Sequence, residues 1–200
     1  MAVELPQLLV ADAPAWAQWL SEHGDRHGGV WLVLARKGTS RPTSLGYDDA
    51  LEEALCHGWI DGQVARRDER TFRQRFTPRK PRSGWSQRNV AIVERLLAEG
   101  RMRPRGLDAV TRARADGRWQ AAYAGPATIT VPADLERALA EQPAALAAFE
   151  ALSAQNRYAI LYRLHNVRRA DTRERKIEGF VAMLARGETP YPQRRASGAA

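Results

Sequence analysis

The chain has 200 residues, 44% of them hydrophobic, a single cysteine and a formal net charge of +8. That apolar content is enough for a buried core and excludes a globally disordered chain, while a lone cysteine excludes an intrachain disulfide and fits a reducing compartment. The charge is uneven: between Gln63 and Arg118, sixteen Arg and Lys stand against six Asp and Glu, and the remainder is slightly acidic. Such a segment favours anionic partners: nucleic acid, phosphorylated molecules or a membrane surface. Only three of the 31 basic residues are lysine, so the arginine bias also fits a GC-rich genome. The opening MAVELPQLLVADAPAW has no basic n-region, and its apolar run is too short for a signal peptide or a membrane span. The expectation is a soluble cytoplasmic protein.

In chain order, Ala13 to His27 predicts a helix capped by Asp12 and stopped by Gly28-Gly29, with Trp16, Trp19 and Leu20 on one stripe. VWLVLA (Val30–Ala35) predicts a buried strand, followed by a loop over Lys37–Gly46. Tyr47 to His57 predicts a second helix with Leu51, Ala54 and Leu55 inward, Asp48, Asp49, Glu52 and Glu53 on a solvated face, and Gly58 as the stop. Trp59–Arg67 and Thr71–Thr77 predict a hairpin turning at Asp68-Glu69-Arg70. Phe72, Gln74 and Phe76 share one face of its second strand, and Thr71, Arg73 and Arg75 the other.

Ser86 is a good N-cap for a helix over Gln87–Glu99 with Val90, Val93 and Leu97 as its stripe, and Leu107–Asp116 predicts another. Composition changes near GPATITVP (Gly125–Pro132), and the pattern beyond it is helical. Leu135, Leu139, Leu146, Phe149 and Leu152 belong to a stretch broken at Pro143, Asn156–Val167 follows, and an Asp171–Glu174 capping box opens a last helix with Ile177, Phe180, Val181 and Leu184.

FTPRKPRSGWSQRN (Phe76–Asn89) is the most informative segment. Pro78 and Pro81 hold the backbone extended, and the helix begun by Ser86 points free N–H groups outward. Arg79, Lys80 and Arg82 beside that terminus make an anion site that Arg73 and Arg75 extend along the hairpin. Trp85 serves either as a stacking wall for a ligand or as a hydrophobic plug over the hairpin, and the two roles are compatible. In CHGWIDG (Cys56–Gly62) the spacing argues against a metal site or a nucleophile, leaving Cys56 and Trp59 as core residues. Asp61 is placed to pair with a loop arginine. His23 and His27 at i, i+4 lack the ligands to complete a metal site. No GxxxxGK[ST], GxGxxG, GxSxG or HExxH motif occurs, so no catalytic residue or cofactor is specified.

ALCHGWIDGQ (Ala54–Gln63), RFTPRKPRSGWSQRN (Arg75–Asn89) and LLAEGRMRPRG (Leu96–Gly106) together resemble the YdeI/OmpD-associated protein family. VPADLERAL (Val131–Leu139) with RRADTRERKIEGFVAMLARG (Arg168–Gly187) resembles that family's OmdA domain. Trp59, Asp61, Pro78, Arg79, Lys80, Ser83, Trp85, Ser86 and Asn89 match the pattern residue by residue; His57 departs from it, an aromatic such as Phe or Tyr being common there. The resemblance implies an association with resistance to bacteriocins and cationic antimicrobial peptides and with envelope stress, and implies no catalytic residue. A protein of net charge +8 repels cationic peptides, so such protection would be indirect.

The combined expectation is an α+β fold. An α+β domain spans 1–125, with a small antiparallel sheet and packed helices; an all-helical OmdA-like domain spans 126–190, and a disordered tail 191–200. The expected anion-binding pocket comprises Arg73, Arg75, Arg79, Lys80, Arg82, Ser83, Trp85, Ser86 and Asn89, supported by Trp59 and Asp61, with no metal and no cofactor. Its partner would be an anionic small molecule or a phosphate group. Two alternatives stay open. A nucleic-acid binder needs Arg66, Arg73, Arg75, Arg79, Arg82 and Arg88 on one continuous face. An enzyme acting on a phosphorylated or nucleotide-like substrate needs Asp61 inside a basic cleft.

Overall fold

The computed structural model describes residues 5–167 and 169–193. The chain divides between Ala122 and Tyr123 into two units, each with its own hydrophobic core. The described residues form a mixed α and β protein with one four-stranded sheet, in the first unit, and eight helices.

Strands β1 (Gln7–Leu8), β2 (Val30–Ala35), β3 (Trp59–Arg66) and β4 (Thr71–Pro78) lie in the order β1-β2-β4-β3. β2, β4 and β3 pair antiparallel, as the hairpin and the apolar VWLVLA run predict, but β1 pairs parallel to β2. The sheet is therefore mixed rather than purely antiparallel. Two residues are too few to show any alternation in the sequence, so β1 left no signal there. The hairpin turn is held by Asp68, whose carboxylate accepts the amides of Arg70 and Thr71 at 2.9 and 2.7 Å. In β3 two residues, Gly62 and Gln63, stand opposite Arg75 alone, a β-bulge.

Helix α1 (Ala13–His23) begins where Asp12 accepts the amide of Ala15 at 3.0 Å, and ends at His23, short of the predicted Gly28-Gly29, because Gly24 closes it onto Leu20. Its Trp16 is fully buried, donates to the Ala50 carbonyl of α2 (Tyr47–Cys56) at 3.1 Å, and meets the rings of Trp59 and Phe76. Leu32, Leu34 and Phe76 from the sheet pack in the same cluster. It also takes in Val93 and Leu96 of α3 (Gln87–Ala98) and Val110 of α4 (Pro104–Ala115). Asn89, Val93 and Leu96 are the buried positions of α3, so the predicted stripe of Val90, Val93 and Leu97 is rotated toward Leu96. Glu52 and Glu53 are not a solvated face: Arg101 donates to them at 2.9 and 2.6 Å, and Arg95 also reaches Glu52.

In the second unit, α5 (Ala133–Ala140), α6 (Pro143–Glu150), α7 (Ala154–His165) and α8 (Ala170–Ala185) supply a core of Leu135, Leu139, Phe149, Ile160, Leu164 and Leu184. Leu146 stands outside it. α8 starts one residue before Asp171, so that carboxylate accepts the amide of Thr172 and pairs with Arg169 instead of forming the expected capping box. Two residues assigned to the tail dock: Tyr191 donates its amide to Asn156 at 2.9 Å, and Gln193 accepts from the Asn156 amide at 2.7 Å. The rest of that tail, 194–200, lies outside the described residues.

The C-terminus of α2 and the N-terminus of α4 approach closely because both contacts are glycines. A Cβ on Gly106 would lie 2.3 Å from the Cys56 carbonyl oxygen, and one on Gly58, at φ +72°, would lie 2.9 Å from that of Arg105. Gly106→Ala is expected to lower stability by about 2 kcal/mol or more, since the obstacle is backbone. The Gly100→Ala exchange meets no neighbour and bears only the strain of its φ of +66°. Thermal unfolding of the two variants, with the larger loss at Gly106, checks this.

Candidate anion-binding site

The PRKPRSGWS loop continues the edge of the hairpin. The amide of Arg79 donates to the Gly58 carbonyl at 2.9 Å, one step beyond the Trp59–Pro78 pair. The Arg79 side chain then turns inward. Its guanidinium donates to the Gly84 carbonyl at 2.7 Å and lies 3.8 Å from the centre of the Trp85 ring. Trp85 is 3% exposed and packs on Trp119 with ring centroids 4.8 Å apart. Arg118 donates to the Ser83 carbonyl at 2.7 Å. Two arginines thus clamp consecutive carbonyls of the loop, and a pair of indoles fills its inside. Arg79 and Trp85 are buried struts, and the Trp85 ring offers no open face to a ligand.

The other predicted residues fall into three groups. Lys80 and Arg82 are exposed and make no ion pair with described residues. Ser83 is half-buried, and Ser86 caps α3 by accepting the amide of Asn89, itself buried, at 3.1 Å. Arg73 and Arg75 lie on the sheet face opposite the core, in register with Val33 and Trp31 of β2. Arg73 sits 5.7 Å from the Trp31 ring. Both arginines are half-buried, neither guanidinium hydrogen-bonds to a described residue, and the Nε of each is shielded without an acceptor.

Of the six arginines that a continuous nucleic-acid face requires, Arg73 and Arg75 share a side. Arg66 is in register with Phe72 on the core side, Arg79 is interior, and Arg88 is held by Asp48 at 2.7 Å and by the Tyr47 hydroxyl at 3.1 Å. They do not form one face.

Trp59 is fully buried beside Trp16 and Trp19. Asp61 does anchor an arginine, but through an intermediary. The Tyr47 hydroxyl donates to Asp61 at 2.9 Å and accepts from Arg88. Burial first, and then the Asp61 carboxylate, push the Tyr47 phenol up to about 12. Surface clefts among the described residues include one beside His57 and Arg103, one beside the hairpin turn at Asp68, and one between α5 and α8. Asp61 lines none of them. Cys56 is buried, and burial with Glu53 raises its thiol to about 11, so it supplies no thiolate near neutral pH.

Sequence reasoning missed Tyr47, Arg118 and Trp119. Trp119 and Arg118 lie more than thirty residues beyond the loop they hold, and no local spacing reveals such a pairing.

By fold and site this is a two-unit mixed α/β protein whose basic loop is built on buried arginine and tryptophan. Residues 8–109 match the family model of a domain of unknown function, DUF8412, and residues 128–187 match that of OmdA, described as bacteriocin-protection, YdeI or OmpD-associated. The first match covers half of the chain, which belongs to that family, and the second makes its C-terminal part an OmdA domain. The hairpin and the whole loop-to-helix motif therefore fall inside DUF8412, and the bacteriocin-protection description attaches to the C-terminal part. No curated protein and no solved structure matches the chain.

Arg79→Ala is expected to destabilise the protein by about 2 kcal/mol or more, through loss of the cation–π contact and an unmet Gly84 carbonyl. The Lys80→Ala and Arg82→Ala exchanges should each stay within about 0.5 kcal/mol. Urea unfolding of the three variants separates strut from surface. The raised Tyr47 pKa also predicts a pH effect. A phenol near 10 when unfolded and near 12 when folded contributes stability that is intact below pH 10 and is lost as pH climbs from 10 to 12. The Tyr47→Phe variant should lack that component in unfolding measured across this window.

Proposed function

We propose that the protein is a cytoplasmic, non-catalytic stress-protection protein of the bacteriocin- or antimicrobial-peptide-resistance kind, and that its first unit binds an anionic group. In this reading the OmdA part is an all-helical domain beginning near residue 126. The anion meets Arg73 and Arg75 on the sheet face, with Lys80 and Arg82 on the clamped loop as further contacts. One observation carries the anion: two half-buried arginines, Arg73 and Arg75, share one face of β4, and the shielded Nε of each has no acceptor among the described residues. Shielded donors left unmet cost free energy that an oxyanion would recover by charge-assisted, forked hydrogen bonding. The Trp31 ring beside Arg73 adds an apolar edge to the same face. Net positive charge disfavours direct capture of cationic peptides, so protection would act through the anionic ligand.

The test is a binding panel of single-stranded RNA, double-stranded DNA and small phosphorylated compounds at two salt concentrations. It compares wild type with Arg73→Ala/Arg75→Ala and Lys80→Ala/Arg82→Ala double variants. Saturable binding of a small anion, weakened at least ten-fold by the first pair, is expected. Steep salt dependence with polymers alone would replace this reading with nucleic-acid binding, and binding indifferent to both pairs would remove the site.

A further inference from the structure

Beside the close approach of α2 to α4 lies a cleft of about 430 Å³, bounded by the end of α1, His57 and the start of α4. Ser21, Asp25, His57, Arg103 and Arg105 line it. Its walls are fixed to one another, since the Arg103 amide donates to the Cys56 carbonyl at 3.0 Å and Arg105 donates to the Gly24 carbonyl at 2.8 Å.

The start of α4 is electrostatically incomplete. No side chain caps it, its first turn holds no acidic residue, and Arg103 and Arg105 add positive charge where the helix dipole is already positive. Asp25 pairs with Arg105, whereas Arg103 is exposed and makes no ion pair with described residues. A helix start alone does not define a ligand, but His57 does. It is only 8% exposed, and its Nδ1 lies 2.9 Å from the Glu53 carbonyl. A carbonyl can only accept, so Nδ1 carries the hydrogen and Nε2 carries a lone pair. No described residue donates to that nitrogen. Burial, the largest influence, lowers the His57 pKa; Arg103 and Arg105 add to this, and Glu53 opposes it. These influences together favour the neutral ring.

The cleft therefore presents donors along one wall and, from a nearly buried side chain, an acceptor in His57 Nε2; the Asp25 carboxylate at its margin is paired with Arg105. The complementary ligand is an oxyanion that keeps a hydroxyl of its own. We propose that this cleft binds a phosphate group bearing one proton, either free hydrogen phosphate or the singly protonated end of a small phosphomonoester. Its oxygens are taken by the Arg103 guanidinium and the Arg105 amide, since Pro104 has no N–H and the Arg103 amide is held by Cys56, and its P–OH donates to His57 Nε2. Sulfate has similar size and charge but no hydroxyl, and would set its oxygens against the imidazole lone pair. A site built to meet a hydroxyl rejects the analogue that lacks one.

The test uses the full chain with isotope-labelled histidine at pH 7.0, titrated separately with inorganic phosphate, glycerol phosphate and sulfate. Saturable movement of the His57 imidazole resonances with phosphate is expected, at an affinity at least ten-fold above that for sulfate. An equal response to glycerol phosphate assigns the ester as a source, and none assigns free phosphate. Arg103→Ala should weaken phosphate at least ten-fold, and His57→Phe should abolish the preference over sulfate while unfolding confirms that each variant is folded. The Arg73→Ala/Arg75→Ala and Lys80→Ala/Arg82→Ala variants should leave the His57 response unchanged, which separates this site from the sheet face. A His57 signal unmoved by phosphate, equal affinity for sulfate, or an Arg103→Ala variant that binds like wild type would each overturn the proposal.

Discussion

The Trp16 indole organises the first unit. Its N–H is tied to the Ala50 carbonyl, and its faces and edges meet Trp19, Trp59 and Phe76. One side chain therefore joins α1 to α2 and to both strands of the hairpin. A buried tryptophan removes a large apolar area from water and tolerates few alternative packings. Because Trp59 is the first residue of β3 and follows Gly58, the same cluster fixes where α2 stops and the hairpin begins. Two of the basic features described above hang from that junction: the loop through the Arg79–Gly58 hydrogen bond, and the cleft through the Arg103–Cys56 hydrogen bond and His57.

The first unit uses arginine in two physically different ways. Arg79 and Arg118 act as polar fasteners, whose forked planar heads reach loop carbonyls that no strand or helix satisfies. Arg95 and Arg101 bind the acidic face of α2 to α3 and the turn after it. What remains for a partner is a smaller set at the sheet face, the loop tip and the start of α4. A raw count of basic residues overstates the positive surface, because much of it is already answered within the fold.

How much of this was legible in the sequence depended on distance along the chain. Asp12 and Ser86 were recognisable caps, since a cap and its amide lie three residues apart, and the hairpin followed from alternation on Phe72, Gln74 and Phe76 around an Asp68 turn. The burial of Trp85 was one of two readings that local sequence left open, because its partner, Trp119, comes from beyond two helices. Arg79 looked like a surface cation because proline-bounded loops are usually solvated; Trp85, on which it stacks, is in the same loop, but the Trp119 ring that closes the loop from inside is not. The α8 start shifted because Asp171 found Arg169 and its neighbouring amide, a competition that spacing rules do not rank. Tyr47 was read only as the beginning of a helix, although it links Asp61 to Arg88.

The bulge at Gly62 and Gln63 has a consequence for how the molecule behaves in a crowd. A four-stranded sheet has two edges, and each exposes backbone groups able to template another strand. Here one edge is β1, only two residues long, and the other is β3, whose hydrogen-bond row is interrupted where the bulge falls. Val64, beside that interruption, is 67% exposed and would otherwise be an adhesive point for edge-to-edge growth. Neither border offers a long, regular row of donors and acceptors, so self-templated β-aggregation is obstructed at both sides of the sheet.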